Sequence, residues 1–288
     1  MKTALESFME GIMDYAGLFP PASLDPQKAL GNYQAHKTAA MGWMLNTFII
    51  PAPLLNHWET LSPPPIPLTL ILPPTAPTPH TSAPHTSSPG IKALETRVTD
   101  LEPTATAERV AQLKKWAPKR PSPPIFLEAA PQARSVELIH SLGRLKDKAG
   151  FKLRCGGEED PPAPELVGQT LMACAHHDLP MKFTAGLHHP ISHWSPQKGK
   201  QRYGFINVFT AALLAFTKRL VPKEIEACLL DEMPDHFTFD PDQLIWKEHA
   251  LSSRAIHSLR KNRITGFGSC SFETPVAELA ALGFMSTP

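Results

Sequence analysis

Two short apolar segments each carry a lysine and run into glycine: FKLRCGG, from Phe151 to Gly157, and MKFTAGLHHP, from Met181 to Pro190. Their lysines, Lys152 and Lys182, stand 30 positions apart. Each segment reads as a β-strand that turns its lysine inward and then opens into a glycine loop. Side by side, such strands bring two ammonium groups into one pocket, where each makes the other's charged form less favourable. Alternation puts Arg154 on the face of Lys152 and Thr184 on the face of Lys182. In the extended segment IFLEA, Ile125 to Ala129, Phe126 and Glu128 share a face. Charged groups turned outward would be buried under helices and pay a heavy desolvation penalty. Glu128, Lys152, Arg154 and Lys182 are therefore expected in one inward cavity. Three cations against one carboxylate make that cavity net positive. Such a site suits an anionic ligand and predicts a lysine with a depressed pKa, neutral enough to attack a carbonyl. The competing role is a salt-bridge layer that only fills the interior.

The residues around the lysines extend the pattern. Gly156, Gly157 and Gly186 follow the two strands, where glycine lets backbone N–H groups approach an anion or simply makes a tight turn. His188 and His189 are adjacent and point apart, so one is expected as a proton shuttle near neutral pH and the other as an ordinary hydrogen-bonded side chain. His193 or Glu128 could join a histidine on a metal, but there is no HExxH or comparable spacing, and no metal is assigned. GFGSCSFETP, Gly266 to Pro275, places small hydroxyl residues before a helix, a setting for binding phosphate or carboxylate. Within it, Ser271 could bind an anion or cap the helix, Thr274 is expected as a cap, and Cys270 as a buried structural thiol. Asp14, in MDYAGLFPPASLDPQKAL, could balance the cations or hold the turn that leads to a helix capped by Ser23 or Asp25.

The elements that must position these groups alternate between extended and helical patterns. Extended segments are expected at 44–50, 66–72, 91–98, 125–129, 150–154, 181–185 and 264–267, with an eighth near 12–15. Helices are expected at 104–116, 135–146, 164–176, 207–220, 223–230 and 274–282, with a short one after Pro51. This alternation argues for a mainly parallel sheet. Eight strands predict a (β/α)8 barrel spanning 1–288 as one domain, with the site at the C-terminal ends of the strands. An open doubly wound sheet is the alternative, but neither GxGxxG nor GxxxxGK[ST] occurs, and no cofactor is expected. Segments 236–240 and 243–247 suggest a hairpin inserted before the last strand. Of 32 prolines, many fall between Pro73 and Gly90, a stretch too poor in apolar groups to pack and expected as a flexible loop.

Composition narrows the function classes. The chain has 288 residues, 42% hydrophobic, enough for one large core. The formal charge of +1 gives no basis for a nucleic-acid partner, and no apolar run is long enough to span a bilayer. Acidic residues interrupt the N-terminal stretch where an export signal would be apolar. Four cysteines without CxxC spacing argue against a disulfide framework and fit a reducing cytoplasm. A homo-oligomer is compatible with all of this.

The order of the motifs resembles the class I deoxyribose-phosphate aldolase superfamily. The resemblance rests on Asp14 to Pro20 (DYAGLFP), the strand ending in Glu128, Lys152 to Gly156, Lys182 to Gly186, and Gly268-Ser269-Cys270-Ser271. Together these cover most of the chain in order. DYAGLFPPA, KFTAGLHHP and GSCSF also look like a bacterial family with no assigned activity. The aldolase resemblance implies a (β/α)8 barrel in which Lys152 forms a Schiff base with a carbonyl substrate and Lys182 tunes it. Gly186, Ser269 and Ser271 would hold a phosphate or another anion. Glu95 stands where the family keeps an aspartate for proton transfer. Two departures concern the substrate: Arg154 replaces a small hydroxyl residue, and Ala185-Gly186-Leu187-His188-His189 replaces a glycine pair. The expected activity is lyase chemistry on a small anionic carbonyl compound. An acid–base isomerase with lysine clamps is a second reading. A non-enzymatic barrel that docks a partner through its proline-rich loop is a third.

Overall fold

A computed structural model describes all residues except 1, 62–64, 75–89, 99–101, 117–121, 130–133, 146–148, 158–159, 218–219 and 286–288. The strands that enclose the core are β1 (Met13–Tyr15), β2 (Leu45–Pro51), β3 (Leu68–Leu72), β4 (Ile91–Arg97), β5 (Ile125–Glu128), β6 (Gly150–Arg154) and β7 (Met181–Thr184). Two short strands, β8 (His193–Ser195) and β9 (Lys200–Arg202), then form an antiparallel hairpin. A three-stranded sheet follows, made of β10 (Phe237–Phe239), β11 (Gln243–Trp246) and β12 (His249–Ser252). The last strand, β13 (Ile264–Ser269), pairs with β7 on one side and β1 on the other, so eight parallel strands close into a barrel. The helices are α1 (Ala4–Met9), α2 (Pro26–Thr38), α3 (Leu55–Thr60), α4 (Pro103–Trp116), α5 (Arg134–Arg144), α6 (Pro164–His176), α7 (Phe205–Phe216), α8 (Pro222–Leu229), α9 (Ser253–Asn262) and α10 (Glu273–Ala281). The expected (β/α)8 barrel is present. Most of the proline-rich stretch, 75–89, lies outside the described residues.

Strand alternation divides the barrel cleanly. Phe151 and Leu153 of β6, Phe183 of β7 and Phe267 of β13 face outward into the shell of helices and belong to the main apolar core. Phe267 stacks on Phe205 of α7 at 5.2 Å between ring centroids, and Phe209 packs edge-on to Phe183 at 4.9 Å. The alternate positions face inward, and these are the polar ones. The parallel register sets Lys152 beside Lys182 on one side and beside Glu128 on the other. On β13 the inward positions are Gly266 and Gly268. A Cβ at Gly266 would lie 2.9 Å from the Ile12 carbonyl oxygen and 3.4 Å from the Asp14 carboxylate, so glycine there leaves Asp14 its place.

Several elements differ from the sequence reading. Helix α7 starts two residues earlier than 207, because the Phe205 N–H is taken by the His189 carbonyl, and it ends at Phe216. The inserted hairpin is a three-stranded sheet, and α1, α9 and the β8–β9 hairpin were not anticipated. Asp25, with Pro26 behind it, caps α2 through the N–H groups of Gln27 and Lys28. Thr274 is not a cap: the N-cap position of α10 is Phe272, and the Thr274 N–H donates to the Ser271 hydroxyl at 3.3 Å. Opposite the C-terminal mouth, Arg260 of α9 is buried and donates to the carbonyls of Phe8 at 2.8 Å, Glu10 at 3.1 Å and Ile264. It also lies over the Phe209 ring. One side chain thus ties α1, α9 and the entry to β13 together.

Candidate active site

The inward charges form a layered cluster at the C-terminal half of the barrel. At its centre is Glu95 of β4, 1% exposed. Its carboxylate contacts Lys152 Nζ through Oε2 at 2.6 Å and Lys182 Nζ through Oε1 at 2.6 Å. Each lysine has a second carboxylate of its own. Lys182 Nζ lies 2.8 Å from Asp14 Oδ2, and Lys152 Nζ lies 3.1 Å from Glu128 Oε2. Asp14 is held from the other side, where its Oδ1 accepts from the Thr47 hydroxyl at 2.6 Å, the Thr47 N–H at 3.1 Å and Asn46 Nδ2 at 2.9 Å. The Thr47 hydroxyl is in turn 2.7 Å from that of Thr69. Above this layer, Glu128 Oε1 accepts from Arg154 Nη1 at 3.1 Å and Arg97 Nη2 at 3.3 Å.

The structure thus brings Glu128, Lys152, Arg154 and Lys182 together, and it corrects their charge balance. Three carboxylates face the cations, because β1 and β4 contribute Asp14 and Glu95 to the same interior. The expected depressed lysine is overturned with it. Burial alone would pull the Lys152 ammonium down, but Glu95 and Glu128 outweigh it and hold its pKa above the ordinary lysine value. Asp14 and Glu95 do the same for Lys182. Conversely, burial would raise the Glu95 carboxyl, but Lys152 and Lys182 bring it down to about 2. Glu128 is likewise lowered against its burial, by Lys152 and Arg154.

A cavity of about 450 Å³ opens over this cluster. Lys152 and Glu128 lie at its base, while Lys182, as deeply buried as Lys152 at 4% exposure, does not line it. Its walls are Ile49, Ile71, Thr184 and Gly268, and its rim carries Phe19, Pro20, Pro21, Arg97, Arg154, His188, Cys270 and Lys198. Glycine at 268 helps make this room, since a Cβ there would come 3.3 Å from Ile49 Cδ1. A smaller pocket of about 270 Å³ reaches Lys152, Glu95 and Glu128 from the β2–β4 side. His188 is part-buried, and burial, followed by the charges of His189 and Arg202, lowers its pKa below the ordinary histidine value.

Other expected residues take different places. Gly157 and Gly186 line the cavity, whereas Gly156 packs behind it. Gly186 has φ +76°, and a Cβ there would meet the Cys155 carbonyl oxygen and Gly156 Cα at 2.9 Å each. Its role in the backbone is thus close packing of the β6 and β7 loops. His189 turns away and pairs with Glu278 of α10 at 2.8 Å. Ser269 faces outward and donates to the Ser271 carbonyl at 2.6 Å, and neither serine lines the cavity. Cys270 does line it and is only half-buried, unlike the buried thiol expected. All four cysteines are free thiols.

Sequence reasoning missed Arg97 and Lys198. Arg97 stands two residues after Glu95 on β4, so the same alternation that placed Arg154 beside Lys152 would have found it. Lys198 sits in the turn between β8 and β9, and no local pattern signals that this turn reaches the barrel mouth. Among the described residues, no helix is long and apolar enough to cross a membrane. No protein-family model matches the chain, and no curated protein and no solved structure matches it.

Proposed function

We propose that this chain is a lysine-imine enzyme of the carbon–carbon lyase type, acting on a small anionic carbonyl compound. One observation carries the reading. Lys152 lines a cavity and shares the buried Glu95 carboxylate with a second lysine that does not line it. A salt-bridge layer needs no cavity above it and no lysine at the base of one. The resemblance to class I deoxyribose-phosphate aldolases points to the same nitrogen.

Charge balance fits the chemistry. An ammonium and a carbonyl combine to an iminium and water, so the nitrogen carries one positive charge before and after. Glu95 and Glu128, arranged around a cation at that point, stabilise both ends of the step. Attack itself requires a neutral amine. The Lys152 proton passes transiently to a water or to Glu95, which Lys182 keeps anionic at rest but also makes a weak base. In the lyase step the iminium draws in the electrons of the breaking C–C bond. Glu95 takes the proton of the departing hydroxyl, which leaves an enamine and a carbonyl product. Arg97, Arg154 and Lys198 are the cations at the rim that would meet the anionic group of the substrate.

Borohydride reduction with 2-oxo acids and sugar phosphates, read by intact mass, tests the reading. One adduct is expected in the wild type and none in Lys152→Met. An absent wild-type adduct, or an equal one in Lys152→Met, refutes the imine.

A second reading has its own support in the raised pKa values of both lysines. As permanent ammonium clamps they would stabilise an enolate, with neutral His188 or Glu128 moving the proton of an isomerisation. Turnover without a trappable adduct favours it.

A further inference from the structure

A second cluster of ligand-type side chains lies at the inserted sheet. Strands β11 and β12 join through a two-residue turn, Lys247-Glu248, with Trp246 paired to His249. Lys247 takes the left-handed backbone conformation such a tight turn requires, at φ +51°. The turn places His249 beside Glu248 and against the first turn of α8, where Glu224 sits. His249 Nε2 lies 3.5 Å from Glu224 Oε1 and 3.7 Å from Glu248 Oε1, and all three atoms fall within 4.8 Å of one another.

Three features separate this cluster from a chance meeting of surface acids. First, His249 Nε2 is buried and has no hydrogen-bond partner, which is costly for a ring nitrogen unless something else takes its lone pair. Second, the groups are held in place. The His249 ring stacks on Trp246 at 5.6 Å and 13°, and the Trp246 N–H is anchored on Asp231 at 2.9 Å. Glu224 uses Oε2 to accept from the Val221 N–H at 2.8 Å, which leaves Oε1 turned to the cluster. Third, the 3.5 and 3.7 Å from His249 Nε2 to the two carboxylate oxygens are close to the separation of ligands around one ion. Zinc ligands about 2.0–2.1 Å from a tetrahedral centre stand about 3.3–3.4 Å from each other. Among the described residues, the ion-pair partner of both carboxylates is His249, and no lysine or arginine pairs with either.

We infer that Glu224, Glu248 and His249 bind a divalent transition-metal ion of the zinc class. Two carboxylates and a neutral imidazole balance its charge, and water completes the coordination through the exposed Glu248 side. The ion ties the turn of the inserted sheet to the start of α8. It is a structural tie, because β12 leads through α9 into the start of β13, the end of the barrel opposite the lysine cavity.

Titration of Zn²⁺ alone into the metal-stripped protein tests this by calorimetry, with thermal melts alongside. One site saturating at micromolar Zn²⁺ is expected, with a raised melting temperature. Affinity should fall at least about tenfold in His249→Ala and in Glu248→Gln, the loss that even outer-shell partners produce. Glu248→Gln changes a turn side chain that is 73% exposed, so its folding is not at stake. Co²⁺ in place of Zn²⁺ should give the visible absorption of a tetrahedral site in the wild type only. Absence of binding at micromolar Zn²⁺ overturns the inference. So does binding in both variants within twofold of the wild type, which would place the ion on other histidines.

Discussion

Glu95→Gln removes one negative charge from between two ammonium groups and changes the shape of the site very little. The amide oxygen can still accept from one lysine, but its NH2 must then face the other. The folded Glu95 carboxyl sits at about 2 against an ordinary value of 4.5. By linkage, that difference corresponds to about 3 kcal/mol of folding stability at neutral pH. Removing one partner of a buried ion pair costs roughly 3–5 kcal/mol, so two separate routes agree on the size. The sign follows from the depressed folded value. The contribution is fully present above the unfolded value and is lost as pH falls through about 2. Urea unfolding of wild type and Glu95→Gln across pH 2 to 8, followed by circular dichroism, measures it. The variant should be weaker by about 3 kcal/mol near pH 7. The gap should narrow below pH 4.5 and nearly close at pH 2. A neutral-pH difference under about 1 kcal/mol, the worth of an exposed ion pair, would refute the shared-carboxylate account. A gap that stays constant down to pH 2 would refute it equally.

Other expectations concern the lysine and the frame around it. Because Glu95 and Glu128 raise the Lys152 pKa, its neutral fraction grows through the alkaline range. Imine formation measured by timed borohydride quench should therefore keep accelerating beyond pH 8, and a plateau near pH 7 would contradict the charge assignment. Arg260→Met strands three carbonyls at the closed end of the barrel and should cost roughly 3 kcal/mol or more. The matching observation is a lowered urea midpoint, and an unchanged midpoint would deny Arg260 its tying role. Gly186→Ala puts a Cβ at φ +76° and 2.9 Å from two backbone atoms, which should destabilise by about 1–3 kcal/mol. A melting temperature equal to that of the wild type would show that the β6 and β7 loops separate freely.

Much of the frame could be read from local pattern, because strand and helix periods are local properties. Segments 150–154 and 181–185 read as buried strands, and the lysines within them mark an inward face. Alternation then placed Glu128 and Arg154 on that face without any knowledge of the third dimension. The β8–β9 hairpin and α9 escaped because their stability comes from packing on the barrel. His193 to Arg202 is polar and short, and nothing within it announces a strand pair.

What the sequence by itself determined was the class of fold, the inward set of Glu128, Lys152, Arg154 and Lys182, and the segments that carry them. What only the tertiary structure decided was the charge state of that set. Asp14, Glu95 and Lys182 are distant in sequence, and the closing of β13 onto β1 brings Asp14 within 2.8 Å of Lys182. Electrostatic energy depends on such distances and on the exclusion of water, neither of which a linear pattern contains. A pocket that counts as three cations and one acid along the chain therefore folds into one where each buried lysine rests on two carboxylates. The same dependence on closure sets Lys152, and not Lys182, at the base of the cavity.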